Sequence, residues 1–172
     1  GNALIDDFML MRIGKRLDQN GEIASSGKPD KSILEEMLNH PFFDLKGPKS
    51  LDRNHFNIEP ILSLSNSDGA ATLCSFTAES VNKSISYLGS PPKLCIVTGG
   101  GRKNSTLMLE LKNRLRTEIR KAEEFGWDGD FLEAQAFGYL AVRSLKGLPL
   151  SFPSTTGVDQ PVSGGVYHKA KK

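Results

Sequence analysis

The sequence predicts an α/β fold in which helix outweighs strand. An apolar run from Lys93 to Thr98 meets Gly99-Gly100-Gly101, and a polar residue then opens an amphipathic segment, which is how a strand turns into a helix. A second short run, from Glu118 to about Ala122, closes a βαβ unit, so the two strands are expected to lie parallel. The rest of the chain carries helical apolar periodicity and few strand signals, giving a helix-rich α/β unit with a small mixed or parallel sheet.

Asn2 to about Arg12 reads as a helix in which Leu4, Ile5, Phe8, Met9 and Met11 mostly share one face, and Gly14 ends it. Residues 14–29 are rich in Gly and Ser and read as a loop with a short ordered turn. Asp30 caps a helix with Ile33, Leu34, Met37 and Leu38 inward, and Pro41 stops it. Residues 41–55 are irregular, and Asn57 to Leu62 starts a short helix. The longest helix is expected next, capped by Asp68 and striped by Ala71, Leu73, Phe76, Val81, Ile85 and Leu88. Gly89-Ser90-Pro91-Pro92 stops it before the first strand. Between the strands, Ser105 to about Arg116 turns Leu107, Met108, Leu111 and Leu115 inward. Asp130 is expected to cap the last strong helix, whose Ala134, Phe137, Ala141, Val142 and Leu145 face the core. The Pro- and Gly-rich remainder ends in a short strand at Gly165-Val166-Tyr167.

At 172 residues, with 38% hydrophobic and 24% charged residues, the chain suits one folded domain or one lobe of a larger protein. A net charge of +2, evenly spread, gives no footprint for nucleic acid. No apolar run approaches the roughly 20 residues of a spanning helix, and no basic-then-apolar leader opens the chain, so a membrane is not an expected partner. Cys74 and Cys95 sit among apolar residues and read as buried thiols of a reducing cytoplasm. The cysteines and His40, His55 and His168 lack metal-ligand spacing. The basic tail Lys169, Lys171 and Lys172 reads as a solvated terminus.

Gly99-Gly100-Gly101 offers backbone N–H groups at a helix start with no Cβ in the way, the chemistry that cradles a nucleotide. The same triplet also serves a tight strand-to-helix turn. No Gly-Lys-Ser/Thr follows, so it is not a P-loop, and no acidic residue stands where a dinucleotide fold places one. Asn104 suits the N-cap of the helix that follows and can also offer its amide to the same crevice. Asp130 and Glu133 hold a capping-box offset. Because the helix is otherwise nearly uncharged as far as Val142, Glu133 is a candidate for accepting hydrogen bonds from sugar hydroxyls. Pro48-Lys49-Ser50 with Arg53 is a cationic loop, and Thr155-Thr156-Gly157 is a turn. Glu35-Glu36 and Glu123-Glu124 read as solvent faces. No nucleophile–base pairing is visible.

These residues resemble a family in an ordered set that runs nearly the length of the chain. In sequence they are Gly1-Asn2-Ala3-Leu4-Ile5-Asp6-Asp7, Ala24-Ser25-Ser26-Gly27, Pro48-Lys49-Ser50 with Arg53 and Phe56-Asn57, and Thr98-Gly99-Gly100-Gly101 with Asn104. Glu133-Ala134 with Ala136-Phe137, Thr156-Gly157 and Gly165-Val166-Tyr167 follow. The chain looks like the C-terminal half of an anhydro-N-acetylmuramic acid kinase, of the sugar-kinase/Hsp70/actin superfamily. The resemblance implies the C-terminal lobe of an actin-like ATPase (ribonuclease H-like) fold, with the N-terminal phosphate-binding lobe absent from residues 1–172. It implies phosphorylation of 1,6-anhydro-N-acetylmuramic acid with ring opening, using ATP and Mg2+ in the cytoplasm, and a product that enters cell-wall recycling. Carried over by residue, Gly99, Gly100, Gly101 and Asn104 line the adenosine side, Glu133 contacts the sugar, and Asn2 lies beside the catalytic loop.

The family's general base, an Asp in Asp-Thr-Gly-Pro, is expected just before Gly1, which leaves no catalytic residue and no metal ligand in this chain. Leu51-Asp52 stand where the family usually has Thr-Gly, so the Lys49 loop departs from the pattern. The expected partners are the anhydro-muramic sugar and the missing lobe, with a homodimer left open. The rival reading is a decayed or repurposed lobe that binds a nucleotide, a sugar or a partner chain without catalysis.

Overall fold

The structure is a computed structural model and describes residues 2–169. Gly1, with which the catalytic-loop resemblance begins, and Lys171 and Lys172 of the basic tail lie outside the described residues.

Helix α1 (Ala3–Ile13) buries Leu4, Ile5, Phe8 and Met9, while Met11, expected on the same face, lies off it and is exposed; Gly14 ends the helix with φ 72°. A 3-10 turn (Gln19–Gly21) leads into α2 (Glu22–Ser25). Asp18 is 5% exposed and fixes that entry by accepting the N–H groups of Ile23 and Ala24 at 2.9 and 3.0 Å. Helix α3 (Lys31–Leu38) begins where expected, with the Asp30 carboxylate accepting the Ile33 N–H at 2.9 Å. Three 3-10 turns (Pro41–Asp44, Arg53–His55 and Glu59–Ser63) follow. Phe42, Phe43, Phe56 and Phe76 cluster there with ring centroids 5.3–6.4 Å apart.

Helix α4 (Asn66–Ile85) forms the axis of the molecule. Its first half, Gly69 to Phe76, is buried all round, because α1, α2, α3 and α5 (Ser105–Arg114) pack about it. The cap is Ser65, whose hydroxyl accepts the Asp68 N–H at 3.1 Å, so Asp68 does not cap this helix as its position suggested. The Asp68 carboxylate instead accepts the Lys28 N–H at 2.8 Å, which together with the Ser65 hydroxyl holds it below the usual carboxylate range. Leu88 lies beyond the helix end and is exposed.

Strands β1 (Leu94–Val97) and β2 (Glu118–Lys121) pair in parallel, Leu94 opposite Glu118 and Val97 opposite Lys121, with α5 crossing between them. The βαβ unit is therefore as expected, and Cys95, Val97 and Ile119 turn toward the core. Cys95 is only half-buried, unlike Cys74, which is fully buried.

A 3-10 turn (Ala122–Phe125) leads to α6 (Leu132–Leu145), followed by α7 (Pro153–Thr156). Two expectations fail here. None of α6 is buried: Phe137 and Leu145 are each 65% exposed and Val142 51%. The apolar stripe is real but stays exposed among the described residues. In place of a strand at 165–167, the tail makes a single antiparallel bridge between Ser151 and Val162. Among the described residues no helix is long and apolar enough to cross a membrane.

Candidate functional site

The three glycines after β1 are there for three different reasons. Gly99 has φ 72° and ψ −175°, a conformation essentially closed to L side chains. Gly100 has ordinary backbone angles, and nothing lies within 4 Å of where its Cβ would be. Gly101 faces inward, and a Cβ there would come 3.1 Å from Asn2 Oδ1 and 3.4 Å from Leu107 Cδ2. Gly99 donates its N–H to the Gly129 carbonyl at 2.9 Å, while among the described residues no carbonyl or side chain takes the N–H of Gly100 or Gly101. The turn therefore leaves two N–H groups without a partner among the described residues, with open space at the Gly100 Cβ position.

Arg102 holds this turn to the segment that starts α6. It is 5% exposed, and its guanidinium meets the Glu123 carboxylate at 2.6 Å, the Asp130 carboxylate at 2.8 Å and the Gly99 carbonyl at 2.8 Å. A Cβ on Gly129 would run into that guanidinium. Arg102 and then Lys103, at 2.7 Å, hold Asp130 well below the usual carboxylate range. Glu123 is lowered too, by its own backbone N–H and by Arg102, and Arg102 itself is raised by both carboxylates.

Asp130 is thus committed to Arg102 and Lys103 and does not cap α6. Phe131 occupies that position without a side-chain cap, and no capping box forms with Glu133. Glu123, read as a solvent face, is 48% exposed yet ion-paired. Sequence reasoning missed Arg102. The only signal was a cation following the glycines with Asp128-Gly129-Asp130 downstream, and nothing local links them.

The expected site residues are only partly gathered. Asn2 turns its side chain toward Gly101 and makes no cap bond for α1, and its buried Oδ1 has no partner. Asn104 is 3% exposed; its Oδ1 accepts the Leu107 N–H at 2.9 Å, capping α5, and its Nδ2 is buried without a partner. Gly99, Gly100, Gly101, Asn2 and Asn104 therefore form one cluster, in which Asn104 lies behind the turn. Glu133 follows three residues after Asp130 on exposed helix and bonds to no described residue, so the buried helix start expected around it is not found.

The Lys49 loop is not a solvated cation. Lys49 Nζ donates to the carbonyls of Phe42, Phe43 and Leu45 at 2.6, 3.2 and 2.8 Å and to the Tyr87 hydroxyl at 2.9 Å. It also lies 4.7 Å from the Phe42 ring centroid. These contacts spend every N–H on holding the loop, while Arg53 reaches Asp7 at 3.6 Å. A cavity of about 810 Å³ opens beside this loop, bounded by Leu4, Phe43, Phe76 and Lys83, and none of the expected site residues lines it. Among the described residues no three His, Cys, Asp or Glu side chains gather to hold a metal ion.

The family model for anhydro-N-acetylmuramic acid kinase matches residues 1–170. An anhydro-N-acetylmuramic acid kinase of Rhodospirillum rubrum is 49% identical over 170 residues, 99% of this chain and 45% of that protein. Those of Methylobacterium nodulans and Rhodopseudomonas palustris are 48% and 50% identical over 166 and 167 residues, each 96% of this chain and 44% and 46% of those proteins. The chain thus spans somewhat less than half the length of the curated relatives it matches. A match over this much of the chain shows its family: it belongs to the anhydro-N-acetylmuramic acid kinases.

Proposed function

We propose that this chain is the nucleotide- and sugar-contacting C-terminal portion of an ATP-dependent kinase of 1,6-anhydro-N-acetylmuramic acid, built on the C-terminal lobe of an actin-like, ribonuclease H-like fold. The names of its relatives support the activity, and the βαβ unit with its glycine turn supports the lobe. The observation that carries the reading is the turn itself: Gly100 and Gly101 hold free N–H groups, and Gly100 faces open space. An acceptor on the adenosine side of a nucleotide fits there, since backbone donors at a helix start favour such groups and no side chain blocks the approach.

In this reading Gly99 sets the turn, Gly100 and Gly101 donate to the nucleotide, and Asn104 fixes the start of α5 behind them. Glu133 accepts hydrogen bonds from sugar hydroxyls, and Asn2 positions the first turn of α1 against Gly101. Bound Mg2+ and ATP supply the phosphoryl group and neutralise its charge, and no residue of this chain is assigned to the metal. The general base and the phosphate loop are assigned to the part of the family's length outside these residues. Catalysis of this kind is largely positioning plus charge stabilisation. Residues 2–169 are thus assigned to binding, while the base and the phosphate loop, each of a kind worth about 10²–10⁴-fold, are assigned to the remainder of the family's length. The product would be N-acetylmuramic acid 6-phosphate, used in cell-wall recycling in the cytoplasm.

Calorimetric titration of the chain with ATP and Mg2+ tests the reading. Gly100→Val fills the open space without backbone strain, so the expected result is at least about tenfold weaker binding with an unchanged melting temperature. Glu133→Gln is expected to weaken binding of the anhydro sugar and to leave ATP binding alone. Equal ATP affinity in wild type and Gly100→Val would reject the cradle, and no binding of either ligand would favour a lobe without this function.

A further inference from the structure

We propose that Arg102 is a positioning residue that couples two ligand sites, by making the glycine turn and the start of α6 one rigid unit. Nucleotide held at Gly100 and Gly101 and sugar held at Glu133 are then felt at each other. The ligands come from the reading above, on which the proposal rests; the unit itself is defined by contacts within the chain. A guanidinium offers five N–H donors in a fixed planar fork. Arg102 is 5% exposed and spends that fork on three segments. Its Nε donates to the Glu123 carboxylate, after β2, at 2.6 Å. One terminal nitrogen donates at 2.8 Å to both the Gly99 carbonyl, in the turn after β1, and the Asp130 carboxylate, on the approach to α6.

A second set of bonds fixes the same junction. The Gly129 carbonyl accepts the Gly99 N–H at 2.9 Å and the Thr98 hydroxyl at 3.2 Å, so turn and approach are tied through the backbone as well. Lys103 Nζ takes the other Asp130 oxygen at 2.7 Å. Gly129 lies against the guanidinium: a Cβ there would come 2.3 Å from Arg102 Nε, so any side chain at this position would displace the clasp. From this point the chain has little slack. Asp128 accepts the Asp130 N–H on Oδ1 at 2.9 Å and the Phe131 N–H on its carbonyl at 3.2 Å. Phe131 in turn accepts the Gln135 N–H at 2.9 Å in the first turn of α6. Glu133 stands three residues after Asp130, less than one helical turn away. A shift of the glycine turn when nucleotide enters is therefore passed to the backbone of Glu133. By reciprocity, sugar at Glu133 acts on the turn by the same factor.

Amide exchange of the ligand-free chain, followed by NMR, reads the unit, and calorimetry with ATP, Mg2+ and the anhydro sugar reads the coupling. In Arg102→Gln the Gly99 and Gln135 amides should exchange at least about tenfold faster and by a common factor, while those in the buried half of α4 keep wild-type protection. Gly129→Ala, which displaces the guanidinium without removing a charge, should act in the same direction and stands in if Arg102→Gln does not fold. Arg102→Lys should resemble Arg102→Gln, because an ammonium keeps the charge but cannot span the three acceptors. Arg114→Gln, whose ion pairs with Glu79 and Glu110 join α4 and α5, should leave both amides unchanged. Saturating ATP should change the wild-type affinity for the sugar by at least about fivefold, and Arg102→Gln should bring that ratio to about one. Equal acceleration of all amides, independent opening of Gly99 and Gln135, or full recovery in Arg102→Lys would overturn the proposal. Ligands that bind the wild-type chain without affecting each other would overturn it and leave the nucleotide and sugar assignments standing. Binding of neither ligand would overturn both.

Discussion

Replacing Gly99 and Gly100 separately by Ala distinguishes a glycine required by the backbone from one required by a ligand. Gly99 sits at φ 72° and ψ −175°, and holding an L residue there costs about 1–3 kcal/mol. No atom lies within 4 Å of its Cβ position, so no clash adds to that. Ala also restricts the unfolded chain, which offsets about 0.4–1 kcal/mol. The net loss is between about 0 and 2.6 kcal/mol, centred near about 1.3 kcal/mol, and at roughly 2–4 °C per kcal/mol for a chain of this size the central value lowers the melting temperature by about 3–5 °C. Gly100 has the same open surroundings without the strained angle, so Gly100→Ala is expected to be neutral or up to about 1 kcal/mol stabilising. Urea and thermal unfolding of the two variants give the answer. Equal destabilisation by both would refute the reasoning, because the fold would then need glycine at Gly100 as well.

The Arg102–Asp130 pair makes the turn acid-sensitive. A lowered Asp130 pKa contributes stability that is complete above about pH 4 and is lost as pH falls through the folded-state value. Trp127, the single tryptophan, reports it: its fluorescence should change in acid, and Asp130→Asn should abolish that change. Burial pushes the Cys74 thiol up to about 12, with the Asp18 and Glu110 charges adding to it, and burial raises Cys95 less. A thiol reagent at mild alkaline pH should therefore modify Cys95 and reach Cys74 only on unfolding. Lys49→Met keeps the stem but removes the ammonium from three carbonyls, of which those of Phe42 and Phe43 keep the Leu45 N–H and the Tyr87 hydroxyl, so it should cost about 1–3 kcal/mol in urea unfolding with nucleotide binding unchanged.

The elements were legible because each announces itself locally. The periodicities of α1, α3 and α5, Asp30 as a cap and the βαβ unit all follow from neighbours a few residues apart. The failures share a cause, which is competition from residues distant in sequence. Asp130 has a capping-box offset to Glu133, but Arg102, 28 residues earlier, takes its carboxylate. Ser65 and Asp68 both suit a cap, and the Lys28 N–H claims Asp68. Lys49 reads as solvated because three carbonyls and a phenol are not written into its neighbourhood. In α6, periodicity states that a face wants cover without naming the cover. The glycine triplet was legible as a cluster, but only the coordinates separate strain at Gly99 from open space at Gly100 and close packing at Gly101.

The central claim is that the unbonded N–H groups of Gly100 and Gly101 meet a nucleotide. An amide NMR titration with ATP and Mg2+ measures those groups directly. The largest shifts should fall on Gly100 and Gly101, with smaller ones along the first turn of α5. Saturating ATP that leaves both amides unmoved, or that shifts only residues remote from this turn, would contradict the account.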